Sequence, residues 1–208
     1  MWFWQKLLSS LVIITSVNTS FICPVINNCK CQQHELDIIE IGCREYDQGL
    51  NIKLSSAKTA DIVCNPLRIE EHKKFVMIEN LLPALNNTII NHLKIYNCSL
   101  STNKSLAELL TTMNMNKVST LEVLCFQMMT GKFQSNHFYG LNNLLNLKIN
   151  CRDYKNIPKD LFNQLHQLTH LNLSNNYISK INDETFYTTI NLICLDLSYN
   201  QLTNISKC

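Results

Sequence analysis

The stretch Leu168-Thr-His-Leu-Asn-Leu-Ser-Asn-Asn176 decides the fold of this chain, because its pattern recurs at a fixed spacing. Its leucines and its last asparagine return as Leu192, Leu195, Leu197 and Asn200, each displaced by the same interval. That interval, laid back toward the N-terminus, finds Leu144, Leu147 and Ile149. A constant period of this kind predicts a solenoid, in which each coil buries its apolar side chains against the neighbouring coils.

The pattern L-x-x-L-x-L-x-x-N is that of leucine-rich repeats, whose coils each contain a short strand and a return segment. Side chains alternate faces along a strand, so the leucines of L-x-L point inward and the residues between them point to the concave side. The return segment repeats as well, with Ile157, Pro158, Phe162 and Leu165 followed by Ile181 and Phe186. We therefore predict an α/β solenoid, a horseshoe segment with a parallel concave β-sheet and a disulfide-linked N-terminal cap.

Upstream coils are less regular. We assign one coil to Val118, Leu121, Leu124 and Phe126, with Leu121 as the counterpart of Leu144, and another to Ile90, Leu93, Ile95, Cys98 and Leu100. Met129, Arg152 and Cys98 then stand where the corner asparagine is expected, so these corners must close differently. The longer spacing between the two coils predicts an extra short helix at 105–110 on the convex side.

The N-terminal segment 1–20 reads as a secretory signal peptide, with Lys6 before the apolar run Leu7–Val17. That run is too short to span a bilayer, which takes about 20 apolar residues; a buried N-terminal helix is the alternative. We divide the rest into a cysteine-rich cap (21–64), irregular early repeats (65–117) and regular repeats (118–208), the last one incomplete.

Ten cysteines favour an oxidising compartment. Four of them form the cap cluster, for which zinc binding is the competing interpretation: Cys23, Cys29, Cys31 and Cys43. Cys64 and Cys98 could bridge neighbouring early strands. Cys151 falls at a strand end and Cys125 and Cys194 on outward strand positions. The sequence leaves the pairing of Cys125, Cys151, Cys194 and Cys208 open.

Five N-x-S/T sequons predict a glycoprotein: Asn86, Asn97, Asn103, Asn172 and Asn204. Asn172 lies between two inward leucines, so a glycan there would cover part of the concave side. The net charge is +2 and 16% of residues are charged, which indicates neither a nucleic-acid partner nor a membrane-surface partner.

Outward strand residues are the candidate ligand-binding residues: His92, Lys94, Tyr96, Asn146, Lys148, Asn150, His170, Ser174, Asp196 and Ser198. Tyr96 with His92 and Lys94 is the preferred patch, because an aromatic side chain beside hydrogen-bond donors suits a protein interface. We expect no enzyme activity, cofactor or metal, since the chain has no recognisable nucleophile or phosphate motif. His166 falls in a return segment and His170 in the following strand, so their spacing does not bring them together and they are not expected to form a zinc pair.

Several of these motifs together resemble the N-terminal part of Toll receptor ectodomains, especially those of arthropods. They are the cap Cys23-Pro24…Cys29-Lys-Cys31…Cys43, the strand-forming stretch from Asn51 to Cys64, Leu-Lys-Ile-Tyr-Asn-Cys98, and the repeats from Ile157 onward. The resemblance implies binding of a cystine-knot cytokine of the Spätzle type, in innate immunity or development. It also implies the disulfides Cys23–Cys31 and Cys29–Cys43.

The chain departs from the family in lacking a C-terminal cap, a membrane span and a cytoplasmic signalling domain within its 208 residues. Two further hypotheses are therefore kept: a secreted short protein acting as a soluble decoy or immune modulator, and a matrix or adhesion protein of the proteoglycan type. An uncapped last coil would expose apolar surface, so self-association through that end is also expected. Each hypothesis places the chain outside the cell, either secreted or as the outer part of a plasma-membrane receptor.

Overall fold

The computed structural model describes residues 29–34, 38–45, 48–66, 89–98, 105–113, 115, 117–125, 134–152 and 155–203. Within these ranges nine strands form one sheet whose spatial order follows the chain. The strands are β1 Cys29–His34, β2 Ile38–Glu45, β3 Gln48–Ser55, β4 Thr59–Pro66, β5 His92–Tyr96, β6 Thr120–Cys125, β7 Asn146–Cys151, β8 His170–Asn172 and β9 Cys194–Asp196.

The sheet changes from antiparallel to parallel at β4. Strands β1 to β4 form an antiparallel meander, and every pairing from β4 to β9 is parallel. The parallel part is the predicted stack of coils, and the meander lies where the N-terminal cap was expected. The solenoid prediction is therefore confirmed, with the addition that the cap contributes strands to the same sheet.

Side chains alternate along the strands as a half-buried sheet requires. In β5, Leu93 and Ile95 are buried, whereas His92, Lys94 and Tyr96 are partly exposed. One continuous core runs from Ile39 in β2 to Ile178 after β8. Each buried aliphatic side chain in it contributes about 1.5–3 kcal/mol relative to exposure, so the stacking of coils holds the solenoid together.

The return segments close the other side of this core. Phe138, Phe162 and Phe186 occupy equivalent positions in three successive coils, and their rings stack with centroids 6.5 Å and 5.9 Å apart. Phe138 and Phe162 are fully buried. The sequence spacing of these phenylalanines is thus a direct consequence of one ring per coil packing on the next.

The extra helix predicted between the β5 and β6 coils is present as α1 Leu106–Thr112. Ser105 caps it, because its Oγ accepts a hydrogen bond from the backbone N–H of Glu108 at 3.2 Å. Leu106, Leu109 and Leu110 are buried on one helix face. No helix in the described part of the chain is long and apolar enough to cross a membrane.

The predicted alignment of the β6 coil with the repeat pattern was wrong by a few residues. Leu121 pairs with Leu147 and Val123 with Ile149, so Leu121 is the counterpart of Leu147 rather than of Leu144. Val123, not Leu124, points into the core, and Cys125 is buried rather than outward. Phe126 and Met129, which were assigned to the same coil, lie outside the described residues.

Disulfides join neighbouring strands at three places within the described ranges. Cys29 bonds to Cys43 between β1 and β2, and Cys64 to Cys98 between β4 and the end of β5. The third joins Cys125 in β6 to Cys151 in β7, a pairing that the sequence left open. Cys31 is also disulfide-bonded; Cys23, its expected partner, lies outside the described residues, as does Cys208.

Asparagines close the corners of the regular coils, as predicted. The Asn176 side chain donates to the carbonyls of Ile149 (2.9 Å) and Leu173 (2.7 Å), and it is buried. Asn200 likewise donates to Leu173 (2.8 Å) and Leu197 (2.9 Å). Backbone carbonyls that the turn leaves without strand partners are satisfied in this way.

Candidate binding surface

The candidate surface is the solvent-facing side of the sheet, here called the concave face. Strand register arranges it in three rows that cross the strands. The upper row is Ile38, Ser55, Thr59, His92, Thr120, Asn146, His170 and Cys194. The charged row is Gln32, Glu40, Lys53, Asp61, Lys94, Glu122, Lys148, Asn172 and Asp196. The lower row is Gly42, Asn51, Val63, Tyr96, Leu124 and Asn150.

Charges alternate in sign along the charged row. From β2 to β7 the order is negative, positive, negative, positive, negative, positive, running from Glu40 to Lys148. Directly opposed residues in adjacent strands are close enough for opposite charges to attract. This part of the face therefore carries no net charge, in keeping with a partner that is not a polyanion.

Glu122 is the centre of this row. Its carboxylate lies 2.9 Å from Nε2 of His92, 3.7 Å from Nζ of Lys94 and 3.5 Å from Nζ of Lys148. The three basic side chains come from the strands on either side, β5 and β7. Glu122 thus links three coils through one side chain.

The ionisation of Glu122 reflects these neighbours. Burial alone would raise the pKa of its carboxyl group. The hydrogen bond from His92 and the charges of Lys94 and Lys148 outweigh burial and hold the pKa below its ordinary value. Glu122 is accordingly ionised at neutral pH, and three of the predicted ligand-binding residues are paired with it: His92, Lys94 and Lys148.

Sequence reasoning missed Glu122 because of the misassigned β6 coil. The wrong frame placed Cys125 outward, whereas the observed register buries Cys125 and places Thr120, Glu122 and Leu124 on the concave face. Leu121-Glu-Val123 does have the same apolar–polar–apolar order as Leu147-Lys-Ile149, but Leu121 and Leu124 fit a second frame as well.

Tyr96 lies in a different environment from His92 and Lys94, the two residues with which it was grouped in the predicted patch. It lies in the lower row between Val63 of β4 and Leu124 of β6, and all three side chains are half-buried. Burial, first, and then the negative charge of Asp61 raise the pKa of the Tyr96 hydroxyl. The structure therefore separates the patch into a Glu122-centred ion cluster and an aromatic–aliphatic group around Tyr96.

Ser174 corrects a prediction, because it is buried (7% exposed) rather than displayed on the concave face. β8 ends at Asn172, and the chain then turns so that Ser174 Oγ donates to Asn172 Oδ1 at 2.7 Å. Asn172 in turn donates to Asp196 Oδ2 at 3.0 Å. Hydrogen bonds from Ser198 are the main cause holding the pKa of Asp196 below its ordinary value.

The remaining predicted residues lie on or beside the concave face. Asn146 donates to Thr120 Oγ1 at 3.1 Å, and Asn150 is half-buried near the end of β7. His170 and Ser198 are exposed. These side chains extend the surface toward β9 but do not converge on a single pocket.

Two of the five predicted glycosylation sites lie among the described residues. Asn97 and Asn172 are half-buried, and Asn97 adopts a left-handed backbone with φ 54°. Asn86, Asn103 and Asn204 lie outside the described residues.

Cys194 is exposed on the upper row with a free thiol. No group of three potential metal ligands occurs among the residues that the structure describes.

Comparisons with known proteins agree with this architecture. Residues 166–208 match the leucine rich repeat family. The structure is similar to a chain of the Toll–Spatzle complex from Drosophila in its glycosylated form, with a TM-score of 0.73 and 17% identity over 88% of this chain and 23% of that chain. A second structure of the complex gives a TM-score of 0.60 and 17% identity, over 86% of this chain and 26% of that one.

The likeness to Toll is one of fold. At 17% identity it establishes a leucine-rich repeat solenoid, with the same kind of stacked sheet. This chain spans about a quarter of the length of the solved chains that it matches. No curated protein sequence matches it.

Proposed function

We propose that this chain is an extracellular recognition module that binds a secreted protein ligand on its concave face, in innate immune or developmental signalling. The observation that carries the proposal is Tyr96, a half-buried aromatic side chain in the middle of a broad face built on fixed strands. Tyrosines held in this way are frequent centres of binding energy in protein interfaces. A curved solenoid sheet also offers the extended surface that a protein partner requires.

The proposed ligand is a cystine-knot cytokine of the Spätzle type. Its support is the similarity of the fold to a chain of the Toll–Spatzle complex, together with the resemblance of the cap and early repeats to Toll ectodomains. The near-neutral charged row fits a protein ligand better than a nucleic acid. We propose a binding role without catalysis, cofactor or metal.

The proposed location is outside the cell. Disulfides that link neighbouring strands, such as Cys64–Cys98, persist in oxidising compartments and are rare in the cytosol. The apolar segment 1–20, proposed as a signal peptide, lies outside the described residues. Glycans on the five sequons are part of the same proposal, and treatment with an N-glycosidase followed by mass spectrometry would test each site.

The test is a direct binding measurement with the full chain secreted from insect cells. A Spätzle-type cytokine is immobilised, and the chain is passed over it at increasing concentration. We expect saturable binding that Tyr96→Ala weakens at least about tenfold, because truncating a central tyrosine commonly removes that much affinity. Tyr187→Ala is the matched control, since Tyr187 is 81% exposed on the return side.

The outcome separates the hypotheses. Absence of binding by the wild-type chain at micromolar concentration would reject the cytokine proposal. Binding to collagen without competition from the cytokine would favour a matrix or adhesion protein. Inhibition of cytokine-driven signalling in cells by the added chain would favour a soluble decoy.

Self-association through the last described coil is a second proposal. Leu195 is 38% exposed, whereas its equivalents Leu171 and Leu147 are 1% and 2% exposed; Ile190 and Ile193 are also exposed in this coil. Apolar surface of this kind favours burial against a following coil or, as proposed here, against a second copy. Analytical ultracentrifugation should show a dimer that Leu195→Asp disrupts and Tyr139→Asp, at an exposed site near α1, leaves intact.

A further inference from the structure

Asp61 forms no ion pair with any residue that the structure describes. In the charged row Asp61 lies between Lys53 of β3 and Lys94 of β5. Lys94 extends toward Glu122, with 3.7 Å between Nζ and Oε1. Neither lysine comes within 4.0 Å of the Asp61 carboxylate. The concave face thus presents an acidic side chain that neither neighbouring lysine neutralises by contact.

The surroundings of Asp61 are apolar and aromatic on one side. Val63 follows it two residues later on the same strand, and Tyr96 is its diagonal neighbour on β5. Leu124 continues the lower row beyond Tyr96. Diagonal neighbours on one sheet face lie within reach of an aromatic side chain. The charge of Asp61 is indeed felt at the Tyr96 hydroxyl, where it helps to raise the pKa.

We infer that Asp61, Val63, Tyr96 and Leu124 form a subsite for an arginine side chain of the protein partner. The inference rests on the proposed function and specifies the chemistry of the ligand at this point. The carboxylate of Asp61 accepts hydrogen bonds from the guanidinium, which stacks against the Tyr96 ring. The aliphatic stem of the arginine packs on Val63 and Leu124.

Arginine fits this group better than lysine. Its planar guanidinium can bind a carboxylate with two hydrogen bonds and still lie flat against an aromatic ring, whereas an ammonium group is a strongly hydrated point charge. Lys53 and Lys94 oppose any incoming cation, since both flank Asp61 in the row. The weaker hydration of the guanidinium lowers the cost of entering such a site.

The experiment uses the full chain and a short peptide, acetyl-Gly-Leu-Arg-Leu-Gly-amide, followed by NMR. Three matched peptides carry citrulline, lysine or glutamate in place of arginine; citrulline keeps the shape without the charge. The readout is the Tyr96 ring resonance, assigned by its loss in Tyr96→Phe. We expect shifts that saturate with the arginine peptide and that saturate only at higher concentration with the lysine peptide. The citrulline and glutamate peptides should cause no saturable shift.

Variants then locate the site. Asp61→Asn should weaken arginine-peptide binding by at least about fivefold, because it removes the charge but keeps the shape. Asp160→Asn, which removes an exposed charge in a return segment, should leave it unchanged. Amide spectra of both variants show whether the fold is intact. Equal binding by Asp61→Asn and wild type, or equal binding of the citrulline and arginine peptides, would overturn the inference.

The peptide titration does not depend on any cytokine. If the cytokine fails to bind but the arginine peptide saturates, the proposed ligand is wrong and the arginine subsite stands. If the cytokine binds wild type and Asp61→Asn equally and the peptide shows no saturable shift, the concave face binds a ligand without this subsite.

Discussion

The backbone N–H of Cys151 donates a hydrogen bond to Oδ1 of Asn176 at 2.7 Å, so the corner of one coil is closed by the asparagine of the next. The same asparagine satisfies the carbonyls of Ile149 and Leu173 from its amide nitrogen. Two coils therefore share one buried polar side chain. Asn176 has the role of a link between coils as well as a turn residue.

Replacing Asn176 with alanine should destabilise the chain by about 2 kcal/mol, because it leaves buried backbone groups without partners. Chemical denaturation followed by circular dichroism measures the change in the free energy of unfolding. Asn143→Ala is the control, since Asn143 is exposed in a turn and should change stability by less than about 0.5 kcal/mol. Equal effects of the two substitutions would contradict this role.

The Cys125–Cys151 disulfide joins the ends of β6 and β7, beside the position where Arg152 replaces the corner asparagine of the β7 coil. Its cysteines are 26 residues apart. Removing both, in Cys125→Ala with Cys151→Ala, should cost about 3 kcal/mol of unfolding free energy, as expected for a loop of this length. The exposed Cys194→Ser serves as the control and should leave the denaturation midpoint where it is.

Glu122→Gln should destabilise the chain at pH 7 by about 1 kcal/mol or less, because the ion cluster is only partly shielded from solvent. The folded-state pKa of Glu122 is lowered. The carboxylate therefore contributes stability above its ordinary pKa of about 4.3, and the contribution is lost as the pH falls through the folded-state value.

The difference in stability between wild type and Glu122→Gln should accordingly shrink on acidification and vanish below the folded-state pKa. Urea denaturation at a series of pH values between neutral and acid measures it. Glu184→Gln, in the exposed pair with Lys159, should show no resolvable change at any pH. A difference that persists undiminished in acid would mean that the effect of the substitution does not come from the charge of Glu122.

Asp61→Asn should lower the pKa of Tyr96, since it removes a negative charge that disfavours the phenolate. Burial still raises this pKa in the variant, so the value should stay above the ordinary tyrosine value of 10.0. NMR titration of the Tyr96 ring resonances in wild type and variant measures the change. If the Tyr96 pKa is the same in wild type and variant, Asp61 and Tyr96 are not neighbours in the sense proposed.

The regular coils could be predicted because their spacing is strict and their corner asparagines are present. The β6 coil could not be placed correctly, since Leu121, Val123 and Leu124 satisfy two overlapping frames and the true spacing to the β7 coil is longer than the period of the regular coils. Only the pairing of β6 with β7 selects one frame. Glu122 was lost from the candidate surface by that error.

The prediction that Ser174 lies on the concave face was wrong for a different reason. Alternation along a strand predicts an outward side chain only while the strand continues, and β8 ends at Asn172. The turn that follows rotates Ser174 into the structure, where it donates to Asn172. Cross-strand relations such as Asp61 beside Tyr96 were equally beyond the sequence, because they depend on a parallel pairing between distant segments.

Alternation of sign along the charged row also bears on how faithfully the coils assemble. Repetitive strands can stack in the wrong order, with one coil omitted from the sheet and its neighbours paired directly. Omitting β5 would set Asp61 against Glu122, and omitting β6 would set Lys94 against Lys148. Like charges directly opposed are destabilising. The alternating charges therefore favour the observed strand order over either misassembly.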